Sequence, residues 1–134
     1  MSRENVEVVK MAYEAFARGG LDRYMEHFTD DVVYGTRRDA PDEPGPIRGK
    51  DAMRAWLQDW IDMFDGFWIE PVELIDAGGD TVVVVERFGG RAKLSGVETD
   101  QTIGDVVTIR NGRIARGHEY PTREQALEAA GLRE

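Results

Sequence analysis

The hydrophobic period of this chain changes at Gly66, and that change constrains its fold class more than any other feature. Ahead of it, Val6, Val9, Tyr13 and Phe16 recur every three or four residues. Met53, Trp56, Leu57, Trp60, Ile61 and Phe64 then repeat the pattern without a break. That spacing lines one face of a helix. Beyond Gly66 the apolar residues alternate with polar ones or form short β-branched runs, which is the habit of strands. Helices followed by a run of strands predict an α+β fold, with the helices packed on one face of a curved antiparallel sheet.

The punctuation fits this division. Ser2 can cap a first helix, and Gly19-Gly20 stops it. Leu21, Tyr24, Met25 and Phe28 make a second, shorter amphipathic segment, and Asp31–Thr36 is a strand. Arg37–Gly49 holds Pro41, Pro44, Gly45 and Pro46 and reads as a loop. Asp51 suits the start of the long helix, and Gly66 ends it. Strands are expected at Phe67–Asp76, weakened by Pro71, and at Thr81–Phe88. Ala77–Asp80 turns between them, and Gly89-Gly90 turns into a polar strand, Arg91–Glu98. Thr102–Arg110 and Arg113–Tyr120 flank Asn111-Gly112, a strong hairpin signal. Thr122 and Gln125 have capping-box spacing ahead of a last helix, with Gly131 at its end.

Composition removes whole classes of chemistry. With 134 residues the chain is sized for one domain. Its 17 basic and 26 acidic residues leave a net charge of −9, which disfavours nucleic acid and anionic membranes as partners. Cysteine is absent, which excludes thiol catalysis, disulfides and Cys-ligated metals. His27 and His118 are the only histidines, too few for a three-histidine metal site. The longest apolar run, Val82–Val85, is far short of the ~20 residues of a membrane helix. Acidic residues stand where a signal peptide needs bases, so a cytoplasmic protein is expected. No phosphate-binding loop, dinucleotide fingerprint, nucleophile elbow or zinc-protease motif occurs, and no metal or cofactor is expected.

One carboxylate stands out. Ile103, Asp105, Val107 and Ile109 share a strand face, and three of the four are apolar and β-branched. Asp105 therefore points into an apolar interior, where its pKa must rise or it must find a donor. An acid so placed beside a cavity is a candidate for proton transfer. The alternative is a twist or bulge that lets Asp105 reach the rim or cap a backbone N–H.

Several segments together resemble a known family. They are Tyr13-Glu-Ala-Phe16, Leu21-Asp22, Phe28-Thr-Asp-Asp-Val32, Arg48-Gly-Lys-Asp-Ala-Met53 and Gly104-Asp-Val-Val-Thr-Ile-Arg-Asn-Gly-Arg113, with the tail Glu124–Leu132. Their order and spacing resemble the SnoaL-like branch of the nuclear-transport-factor-2-like superfamily. Its members include ketosteroid isomerase, polyketide cyclases, limonene epoxide hydrolase and scytalone dehydratase. The resemblance implies a cone, with a bent antiparallel sheet wrapped around three N-terminal helices, a short C-terminal helix and a deep apolar pocket. It also implies a homodimer formed through the outer sheet face, to which Trp68 is suited.

The resemblance extends unevenly to the site. Asp105 matches the strand aspartate that acts as acid/base in the cyclases and as a protonated donor in the isomerase. The isomerase base falls on Thr36 and its oxyanion tyrosine on Ala12, with Tyr13 about 100° further around the helix. Steroid isomerase chemistry is therefore not expected, and the epoxide hydrolase network is not matched. In the family register Val32, Tyr34 and Thr36 point inward. Tyr34 then either serves Asp105 or a substrate oxygen, or is a core residue with its hydroxyl at the rim. Trp56, Trp60 and Phe64 on the long helix, joined by Phe88, form core and pocket wall. Tyr13, Thr36 and Val107 complete the expected ligand contacts. Alternation puts one of His118 and Glu119 inside, and the register favours Glu119 as a second titratable group, although a solvated strand end is the alternative. Arg37, Arg38, Asp39, Asp42 and Glu43 crowd the loop that would overhang the pocket.

These features imply a cofactor-independent acid–base enzyme of isomerase, cyclase or hydrolase type, acting on a small hydrophobic ring-containing molecule. A binding module without chemistry and a dimerisation domain are the alternatives.

Overall fold

A computed structural model describes residues 2–36 and 45–132 of the chain. The described order is α1 (Ser2–Met25), β1 (Phe28–Gly35), β2 (Ile47–Arg48), α2 (Lys50–Asp62), β3 (Phe64–Asp76), β4 (Thr81–Ala92), β5 (Glu98–Arg110), β6 (Arg113–Tyr120) and α3 (Arg123–Ala129). Six strands form one sheet in the order β2-β1-β6-β5-β4-β3. The α+β class holds, with two corrections. The sheet is mixed, because β1 runs parallel to β6 while the other pairs are antiparallel. Two helical elements, not three, precede the main strands. The first is a 24-residue helix kinked at Gly20, whose φ of 77° no continuous helix contains. The expected stop at Gly19-Gly20 falls where Gly20 leaves helical geometry and two helical segments meet at the kink, whereas Phe28 opens β1 instead of closing a helix.

The helices lie on the concave side. Val9, Ala12 and Tyr13 of α1 and Met53 of α2 are buried against Val82, Val84, Val107 and Ile109 of the sheet. Because α2 touches β1 and β2 at one edge and β3 at the other, the sheet must curl around the helices. On the convex side α3 buries Ala126 and Leu127 over Val83, with Ile75, Val106 and Tyr120 beside them. Its ends follow the expected chemistry. The Thr122 side chain accepts from the Gln125 N–H at 3.1 Å. At the other end the Leu132 N–H bonds the Leu127 carbonyl at 2.8 Å and the Gly131 N–H bonds that of Glu128 at 3.0 Å, around a Gly131 φ of 81°.

Two further boundaries differ from expectation. α2 ends at Asp62, so Phe64 starts β3 rather than lying on the helix, and Gly66 sits inside that strand with φ 66°. Gly89-Gly90 makes no hairpin. Both residues pair within the β4–β5 ladder, opposite Asp100 and Thr99, and the turn comes at 93–97. A side chain at Gly89 would meet the Thr99 carbonyl oxygen at 1.9 Å, so glycine here serves close backbone approach. Asn111-Gly112 does turn the chain, with φ values of 52° and 75° as a type I′ turn requires.

Candidate active site

Alternation along three neighbouring strands builds the site. On β4 the inward set is Val82, Val84, Glu86 and Phe88, and on β5 it is Ile103, Asp105, Val107 and Ile109. On β6 it includes Gly117 and Glu119. Register then makes Val84, Asp105 and Glu119 a cross-strand row, with Glu86 diagonal to Asp105. The three carboxyl groups present oxygens that all lie within 4.8 Å of one another. Like charges opposite one another weaken a ladder. Two of the three are also dry, Asp105 at 2% exposed and Glu86 at 5%, while Glu119 is half-buried.

Two tyrosines hold the cluster. The Tyr34 hydroxyl donates to Asp105 Oδ2 at 2.8 Å. It reaches that far because residue 117 is glycine; a Cβ there would sit 2.3 Å from the Tyr34 ring. From α1 the Tyr13 hydroxyl donates to Glu86 Oε1 at 2.5 Å. Burial, then the charge of Asp105, raises the Tyr34 pKa well above that of an ordinary phenol, so it stays a donor. Burial and the Glu86 charge do the same to Tyr13. Burial pushes the Glu86 pKa well above the usual carboxylate range. The charges of Asp105 and Glu119 add to this, and the Tyr13 hydrogen bond opposes it. Glu86 thus holds a proton under conditions that strip a surface glutamate.

An aromatic pocket opens above this floor. Its walls are Trp56, Leu57, Trp60, Phe67, Ile69, Phe88 and Ile103, with Glu86 and Glu119 as its acidic residues. The cavity volume is about 40 Å³. Trp60 meets Phe88 edge-on with ring centroids 5.7 Å apart, and Phe67 lies 6.4 Å from Phe88.

The expected site residues sort accordingly. Asp105, Tyr34 and Glu119 come together, and Trp56, Trp60 and Phe88 line the pocket. Tyr13 is drawn into the carboxyl cluster instead of the wall. Phe64 lies behind Trp60, stacked at 6.5 Å, Val107 is core, and Thr36 is buried at the end of β1. Glu119, not His118, faces inward; His118 stacks on Tyr120 at 4.6 Å. Trp68 points outward beneath Arg87, whose guanidinium is 5.3 Å from its ring and pairs with Asp100 and Glu70. Arg37, Arg38, Asp39, Asp42 and Glu43 lie outside the described residues. The expected roll lacks Glu86. The signal that finds it is the one that finds Asp105, a single carboxylate alternating with Val82, Val84 and Phe88.

A model of the SnoaL-like domain matches residues 9–117. The chain belongs to the SnoaL-like domain family. An uncharacterized protein of Mycobacterium tuberculosis is 32% identical over 129 residues, covering 93% of this chain and 94% of that relative. A nuclear-transport-factor-2-like protein from Burkholderia xenovorans LB400 is similar in structure, with a TM-score of 0.68 and 26% identity over 96% of this chain and 95% of its own. A protein with the ketosteroid isomerase-like fold from Catenulispora acidiphila, crystallised with trimethylamine, has a TM-score of 0.71 at 16% identity, covering 95% and 94%. TerC, co-crystallised with polyporic acid, has a TM-score of 0.74 at 19% identity, covering 96% and 98%. This chain's mixed six-stranded sheet and three helices are thus a fold it shares with those structures.

Proposed function

We propose that this SnoaL-like protein is an acid–base enzyme acting on a small, mainly apolar, ring-containing molecule bound against Trp56, Trp60, Phe67 and Phe88. One observation carries the reading: Glu86 and Glu119 line an aromatic pocket, with the Asp105 carboxyl within 4.8 Å of both. Gathering three carboxyls, two of them buried, costs stability, and such costs are concentrated where function needs them. Glu119 borders the pocket and is half-buried, so it exchanges the proton with the substrate. Glu86 supplies a proton-holding neighbour beside it. Asp105 lies deeper, held by Tyr34, and acts through Glu119. The rings exclude water and strengthen these interactions. That proteins of this fold were crystallised with trimethylamine and with polyporic acid supports a small-molecule role.

The test is deuterium incorporation from solvent into a panel of cyclic ketones, followed by NMR with the wild-type protein and Glu119→Gln. General acid–base catalysis is worth roughly 10²–10⁴-fold. Wild type should accelerate exchange in a ketone it binds, and Glu119→Gln should bind that ketone but lose most of the acceleration. Binding without any acceleration would make the protein a carrier or sensor. No binding at all would remove the pocket from consideration.

A further inference from the structure

We propose a second binding site, on the outer face of the sheet, for a small zwitterion of the α-amino-acid type with an aliphatic side chain. The site shares no lining residue with the aromatic pocket.

It is a groove of about 490 Å³ beside the Asn111-Gly112 turn, lined in part by Asp31, Val33, Asp80, Thr108, Arg110 and Arg116. Small-molecule sites typically enclose ~300–1,000 Å³. Strand register builds the groove. Val33 of β1, Arg116 of β6, Thr108 of β5 and Thr81 of β4 are successive partners in one cross-strand row. Their chain neighbours Tyr34, Val107 and Val82 are buried in the core, so alternation turns this row outward. Strands lie about 4.8 Å apart, which leaves Arg116 and Thr81 about 10 Å from each other with Thr108 between them. Asp80 precedes Thr81, and its carbonyl oxygen accepts the Ile109 N–H at 2.8 Å, tying that end of the groove to β5.

The charges of the lining define the ligand. Two arginines face two aspartates and cancel. Arg110 and Asp31 satisfy each other at 2.6 Å. Arg116 and Asp80 take part in no ion pair among the described residues, although they bring opposite charges to the two ends of one row. A ligand with a carboxylate for Arg116 and an ammonium for Asp80 completes both pairs at once. The planar fork of an arginine suits a carboxylate. A simple anion would also face Asp31 and Asp80, and a simple cation or metal ion would also face Arg110 and Arg116. The Thr108 hydroxyl adds a polar group between the two ends. Val33 and Ala115 are half-buried and supply the apolar surface, and no aromatic residue lines the groove among the described residues, so an aliphatic side chain is the match.

Leucine and two of its analogues test the proposal. Isocaproate is leucine without the ammonium group, and isoamylamine is leucine without the carboxylate. Each is titrated into the full chain at pH 7 and low salt. Amide NMR shifts of Thr108, Asn111 and Ala115 report the groove, and the indole N–H signals of Trp56 and Trp60 report the aromatic pocket. Leucine should bind at least about fivefold more tightly than either analogue, a ratio of about 1 kcal/mol, the upper end for one exposed ion pair. In Arg116→Gln leucine should fall to the affinity of isoamylamine, whose own binding should not weaken. In Asp80→Asn leucine should fall to that of isocaproate. Both residues are exposed, so the two variants should fold as the wild type does. Equal affinities for the three probes, tighter binding of either analogue than of leucine, or shifts confined to the indoles would overturn the proposal. So would the absence of binding at millimolar probe. A dimer that Arg116→Gln dissociates, with no leucine bound, would make this face an interface between copies of the chain instead.

Discussion

Replacing Glu86 by glutamine tests the electrostatics of the site without a ligand. The amide keeps an oxygen for the Tyr13 hydroxyl and removes one charge-bearing group from three within 4.8 Å. Two unit charges at 4.8 Å repel by about 3.5 kcal/mol at an effective dielectric constant of about 20. Glu86 therefore binds its proton more tightly folded than unfolded, the direction that burial also dictates. A group with a raised folded pKa contributes stability that is complete below its unfolded pKa, about 4.3 for glutamate, and is lost as pH rises through the folded value. Wild type should thus lose stability relative to Glu86→Gln as pH climbs from about 5 to 8. The difference should reach roughly 3 kcal/mol, or roughly 10 °C in Tm for a chain of this length. Thermal unfolding followed by circular dichroism at half-unit pH steps reads it directly. Surface carboxylates titrate alike in both proteins and cancel in the difference. Parallel Tm curves would refute the reasoning, because the three carboxyls would then ionise together without penalty.

Other outcomes follow from single contacts. Tyr34→Phe removes the donor 2.8 Å from buried Asp105 and should cost about 1–3 kcal/mol in urea unfolding, with little change in m. Gly117→Ala puts a Cβ 2.3 Å from the Tyr34 ring, so it should push Tyr34 off Asp105 and change the fluorescence of Trp56, whose ring lies 6.1 Å from Tyr34. Gly104→Ala should cost about 1–3 kcal/mol on the opposite face, since the new Cβ would lie 2.6 Å from Ala126 Cβ and 2.9 Å from the Thr122 carbonyl oxygen. Denaturation would show it as a lowered midpoint. Amide exchange should speed first in α3, and a uniform change across the sheet would contradict that reading.

What was legible follows from locality. Helix and strand periods are set by side chains a few residues apart, so α1, α2 and β3–β6 can be read from spacing, as can the Asn111-Gly112 turn and the Thr122 cap. Boundaries are less local. Phe64 obeys the helical period, yet strand pairing with Ala92 claims it for β3. Gly89-Gly90 looks like a turn in isolation, but the β4–β5 ladder runs through it. The parallel pairing of β1 with β6 joins segments about 80 residues apart, and no short-range pattern announces it.

The site divides the same way. That Asp105 faces an apolar interior is a property of its own strand, and so is the inward face of Glu86. Thr81–Phe88 read as a β-branched run hides Glu86, whereas read by alternation it exposes it. That Glu86, Asp105 and Glu119 meet is a different kind of fact. It depends on the register of β4 against β5 and of β5 against β6, on the curl of the sheet around α1, and on a glycine at 117 that admits Tyr34. By itself, then, the sequence determined the order of most helices and strands and the inward face of Asp105, because those follow from near-neighbour periodicity. Only the tertiary structure decided that Glu86, Asp105 and Glu119 meet beside an aromatic pocket, because distance across a sheet is set by the packing of the whole chain.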